Sequence, residues 1–108
     1  MANINRLGRM VLRTLPDHQG FWLKRSDHEL ISVCRSLAEL STCLKDSDEA
    51  VIAYHMRCGG NDFVHWIEDT LGDKKLAMDI EGLKANNWLE MRKKLVSAIE
   101  IRMREISK

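Results

Sequence analysis

A chain of 108 residues with 44% hydrophobic and 31% charged side chains, one proline and six glycines reads as one globular, helix-leaning domain over 1–108. It is too apolar and too nearly neutral, at net charge +1, for a disordered segment, and it lacks the one-sided basic excess of most nucleic-acid proteins. Cys34, Cys43 and Cys58 are odd in number and without short paired spacing, which argues against a disulfide framework. With no membrane-length apolar run and no leader pattern, a cytoplasmic protein with no membrane partner is expected.

The charge is unevenly spread. Residues 1–16 carry Arg6, Arg9 and Arg13 and no acid, residues 46–81 carry nine acids against Arg57, Lys74 and Lys75, and from Trp88 onward six bases face three acids. Solvated helix faces account for such blocks, and a charged docking surface is the alternative.

In chain order, Ile4, Leu7, Val11 and Leu15 recur at helical spacing over Asn3–Leu15, and Pro16 ends that helix. Phe21-Trp22-Leu23 follows Gly20. Ser26-Asp27-His28-Glu29 has the form of a capping box, as does Ser36-Leu37-Ala38-Glu39. If the first box operates, one helix runs from Asp27 to Leu44 with Leu30, Cys34, Leu37 and Leu44 on a stripe, and periodicity favours this reading. If only the second operates, residues 21–33 form a short β-hairpin. Asp46 to Glu49 starts a helix over Ser47–Met56, which Cys58-Gly59-Gly60 breaks. Asn61 or Asp62 caps the next helix, with Phe63, Trp66, Ile67 and Leu71 on a buried face and Gly72 as its stop. Asp73 caps a helix that turns Leu76, Ala77, Ile80 and Leu83 inward. After Asn86-Asn87, Trp88, Met91, Leu95, Ile99, Met103 and Ile106 mark a C-terminal helix within 87–106. The sum is an all-α or mainly α fold, a compact bundle of about five helices with a hairpin near 21–33 as the structural alternative.

The densest set of potential ligands is His55, Cys58, Asp62 and His65. Two histidines, a thiolate and a carboxylate would satisfy zinc, but the spacing matches no standard zinc pattern and Gly59-Gly60 divides the two pairs, so no metal and no cofactor is assigned. Cys58 beside His55 or His65 has the residue types of a nucleophile and base, yet no nucleophile elbow frames it and no catalytic residue is assigned. Gly59-Gly60-Asn61-Asp62 lacks the lysine and serine of a phosphate loop, and Asp62 would repel an anion. Phe63 and Trp66 share a face with Ile67 and Leu71 and read as core. Phe21 and Trp22 have the weakest structural explanation and are the candidate interaction residues.

Tyr54-His55-Met56, Asn61-Asp62-Phe63-Val64-His65-Trp66-Ile67-Glu68-Asp69, Leu71-Gly72-Asp73 and Leu76-Ala77 together resemble a small archaeal and bacterial domain of unknown function. Phe21 and Ser36-Leu37-Ala38-Glu39-Leu40 resemble its opening aromatic and first helix, so the likeness covers about 21–80, with a longer segment between Phe21 and Ser36. The resemblance implies no chemistry. It implies a regulatory or adaptor role. The physical reading of the motif agrees: Asp62 caps the helix of Phe63 and His55 bonds a buried carbonyl, or else His55, Asp62 and His65 face a shallow pocket.

The functional expectation is a non-enzymatic interaction or regulatory module acting through a protein partner or self-association. The alternative is a small-ligand or metal-binding protein using His55, Cys58, Asp62 and His65. Nucleic-acid binding through Arg6, Arg9, Arg13 and the last helix stands third, against the charge balance.

Overall fold

The computed structural model describes residues 2–107, with side chains from Arg6 onward. Helix α1 spans Ala2–Val11 and stops short of the expected Leu15. Pro16 disfavours helical geometry in the residue before it, and Leu15 instead donates its N–H to the Arg35 carbonyl at 2.7 Å. Val11 and Leu15 are buried as expected, whereas Leu7 lies at the surface; the Ile4 side chain falls outside the described residues.

The long helix from Asp27 to Leu44 does not form. An antiparallel hairpin takes its place, β1 (Phe21–Ser26) pairing β2 (Glu29–Cys34). The reason is visible in the alternation: Phe21 and Leu23 are buried and Trp22 between them is exposed, a period of two that a helix cannot use. Ile31 and Val33 add β-branched stiffness. The apparent first capping box is the hairpin turn: Ser26 Oγ accepts the His28 N–H at 3.3 Å, and the Glu29 carboxylate pairs with Arg25 instead of reaching back along a helix. The second box operates. Ser36 Oγ accepts the Glu39 N–H at 3.1 Å, and Glu39 Oε1 accepts from the Arg35 N–H at 2.8 Å, opening α2 (Leu37–Lys45).

The remaining helices begin where side-chain oxygens meet free N–H groups. Asp48 caps α3 (Glu49–His55). Asn61, not Asp62, caps α4 (Asp62–Trp66) through the Phe63 and Val64 N–H groups. This helix continues as a π-turn over Ile67–Leu71 and ends at Gly72, whose φ of 82° is the left-handed conformation that glycine adopts without strain. Asp73 caps α5 (Lys74–Glu81), and Asn87 caps α6 (Trp88–Ile106) through the Glu90 N–H at 2.8 Å. The result is mainly α, six helices and one small hairpin among the described residues.

Helix α6 is the spine, packing against α1, α2, α3 and α5. Its buried stripe is Met91, Leu95, Ile99 and Ile106; Met103 is half-buried, and Trp88, expected at the head of the stripe, is exposed at the helix start. One member was not foreseen. Arg102 lies between Ile99 and Ile106 on the inner face and binds buried Asp73 through two contacts, Nε to Oδ2 at 2.8 Å and Nη2 to Oδ1 at 3.1 Å. The carboxylate therefore caps α5 and clamps α6 at once. Replacing Arg102 by methionine leaves an uncompensated buried carboxylate and should cost about 3–5 kcal/mol in chemical denaturation. Adding Asp73→Asn, which keeps a capping oxygen, should recover much of that loss; equal stability of the single and double variants would refute the clamp.

Candidate functional site

His55 is the last residue of α3 and is only 4% exposed. It is enclosed by aromatic rings: Phe21 from β1 with centroids 4.7 Å apart, Phe63 from α4 at 5.3 Å, and Tyr54 edge-on at 5.0 Å. Phe21 stacks on Phe63 at 5.0 Å and meets the edge of Trp66, whose indole N–H donates to the Gln19 carbonyl at 2.9 Å. Buried aromatic packing of this kind fixes ring orientations as well as removing area from water.

Both imidazole nitrogens are occupied. Nε2 accepts the backbone N–H of Lys24 at 2.9 Å, and Nδ1 lies 2.9 Å from Asp62 Oδ2. A main-chain N–H can only donate, so Nε2 carries the lone pair and Nδ1 carries the proton that it gives to Asp62. Pairing between the strands is irregular on both sides of Lys24, which releases this N–H from the ladder. Asp62 is the first residue of α4, so the imidazole ties hairpin, α3 and α4 together.

A second layer surrounds this knot. The Arg57 guanidinium lies 3.9 Å from the Tyr54 ring centre and 3.8 Å from Asp62 Oδ2. The Tyr54 hydroxyl donates to Asp27 Oδ1 at 2.8 Å in the hairpin turn, and Arg25 bridges to Asp48, the α3 cap, at 2.8 Å. The sequence suggested that His55 bonds a buried carbonyl; its partners are an amide and a carboxylate instead.

The other proposed ligands are not gathered around it. Cys58 is exposed on the turn after α3, with a left-handed φ of 57°, followed by Gly59 at 76°. His65 points to a separate cleft of about 230 Å³ lined also by Gly59, Gly60, Asn61 and Glu81. Among the described residues, no three of the His, Cys, Asp and Glu side chains are placed to hold one metal ion. Of the interaction candidates, Phe21 is core, and Trp22 is 48% exposed with its indole N–H directed to the Asp17 carbonyl at 3.2 Å.

A family model described as a family of unknown function, DUF5752, matches residues 19–108. The chain belongs to that family. No curated protein and no solved structure matches the chain. The DUF5752 stretch takes in the hairpin, the His55 knot and all of α6, and α1 precedes it.

In this DUF5752 chain, Nε2 of His55, the nitrogen that a general base would offer to a substrate, is turned inward to Lys24. Burial pushes the imidazole below its ordinary value; Asp62 pulls the other way, and Arg57 and Lys24 add to the depression. The unfolded chain therefore takes up this proton at higher pH than the folded chain does. The His55 contribution is fully present above about pH 6.5 and declines as the pH falls below it. Denaturation midpoints measured from pH 8 to 5 should show this fall. His55→Leu, which strands the Lys24 N–H, should lose about 2–4 kcal/mol at pH 8 and abolish the step. A step of unchanged size in that variant would assign it to other groups.

Proposed function

We propose that the protein is a non-enzymatic interaction module that docks a protein partner on the face built by α1, α2 and α6. The observation that carries this reading is the contrast between two regions. Of the residues that looked chemical in the sequence, His55 and Asp62 are bonded to each other, with Nε2 closed off by Lys24, and Cys58 and His65 lie apart from them. Along α6, adjoining clefts of about 580, 440 and 220 Å³ stay open among the described residues. They are lined by half-buried Leu12, Val96 and Met103 together with exposed Arg9, Lys93 and Arg104. Apolar ground rimmed by charge is the usual make-up of a docking surface. The hairpin carries exposed Trp22, Leu30 and Ile31, but its irregular register blunts it as a strand-pairing edge.

The test is site-specific photo-crosslinking of the full chain in its source cells. A photoreactive side chain at Ser97, on the open face, should give adducts with a discrete protein. The same group at Met78, exposed on α5, should not. Adducts at neither position, or equally at both, would remove the support for a docking face on α6.

A further inference from the structure

We infer that the occupant of this face is an acidic amphipathic helix of about four turns; the inference rests on the docking reading above and names the chemistry of its partner. The clefts form one groove. Those of about 580 and 440 Å³ share Leu12 and Ser107, the latter shares Glu100 with the cleft of about 220 Å³, and Ala38 joins it to a further one of about 320 Å³ on α2. From Arg92 to Ser107 the groove follows α6 for about 22 Å, the length of about fifteen helical residues. Its floor, Leu12, Ala38, Val96 and Met103, offers apolar contact along a line, which is how a groove reads anchors at helical spacing.

The rim is electropositive. Among the described residues, Arg9, Lys93 and Arg104 have no carboxylate partner. Arg13 and Arg92 donate only to main-chain carbonyls, Met10 and Thr70 for the first and Ser47 for the second. The two acids in the lining are already engaged, Glu100 with Lys45 at 2.6 Å and Glu39 with the Arg35 N–H at 2.8 Å. Negative charge on an incoming helix would meet bases whose charge no carboxylate offsets. A nucleic acid fits less well, because its phosphates would gain nothing from the apolar floor. A second copy fits less well too: α5, which bears Asp79 and Glu81, has only 8 residues and also carries Lys74 and Lys75.

The test is fluorescence anisotropy with the full chain and a labelled peptide of about fifteen residues, leucines at i, i+3, i+4 and i+7 and glutamates on the flanks. Micromolar binding is expected, with gain of helix by circular dichroism and weakening by salt. A permuted peptide of the same composition should bind about tenfold more weakly. Ala38→Glu, an exposed site in the first turn of α2 where an acid suits the helix, should weaken the patterned peptide about tenfold without loss of fold. Equal binding of the two peptides, tighter binding of a DNA duplex, or a dimer in light scattering that Ala38→Glu dissociates would each overturn the inference. If the peptide fails while Ser97 still cross-links to a discrete protein, the acidic-helix assignment falls and the docking reading survives; if both fail, both fall.

Discussion

One buried imidazole holds the front half of the molecule together, and it does so because its two nitrogens must differ. A neutral histidine has one donor and one acceptor on opposite sides of the ring. Here the acceptor takes the N–H that Lys24 cannot give to β2, and the donor reaches Asp62 at the start of α4. An aliphatic side chain would fill the space between Phe21 and Phe63 but leave a β-strand amide unpaired beside the core, and a lysine would offer only donors to a site that requires an acceptor. The hairpin, which as an isolated pair of strands is marginal in water, is thereby fastened to two helices at a point where its own ladder is interrupted.

The back half has its own fastening, and the two are alike in design. Asp73 both caps α5 and receives Arg102, as Asp62 both opens α4 and receives His55. In each case a helix-start carboxylate binds a side chain of another helix, and Asp73 also caps its own. This keeps the number of buried charges low while every one of them has a defined partner. The consequence for the surface is geometric: with Arg102 directed into the core against α5, the side of α6 that bears Arg92, Lys93, Val96, Met103 and Arg104 is free to form the wall of the groove.

How much of this was legible in the sequence follows from the range of the interactions. Caps at Ser36 and Asp73, the stop at Gly72 and the extent of α6 rest on contacts within four residues, and they are read directly from residue type and spacing. The hairpin was obscured because Ser26 and Glu29 satisfy the helix-start pattern as well as the turn pattern, and the tie is broken by burial of Phe21 and Leu23 against α3, which is not local. The Arg102 clamp had a signal, a charged residue on the apolar stripe between Ile99 and Ile106. Its partner, 29 residues away, had none. The ligand-like set dissolved for the same reason. Spacing placed His55, Cys58, Asp62 and His65 together, but the left-handed turn at Cys58 and Gly59 sends His65 to another cleft.

The position of α1 bears on the docking reading. It lies ahead of the stretch matched by the family model, yet it and the two residues after it supply Arg9, Leu12 and Arg13 to the groove. Its closeness to α6 depends on Gly8: a Cβ there would sit 2.1 Å from the Ile106 carbonyl oxygen, well inside any tolerable contact. The glycine thus sets the depth of the groove at the end lined by Arg9 and Arg13. A side chain at position 8 would push α1 off α6 and change the groove while leaving the His55 knot and the Asp73–Arg102 clamp untouched. On the proposed reading, the bonds that hold the helices and the recognition surface are built by separate residues, and the surface depends on how closely α1 approaches α6.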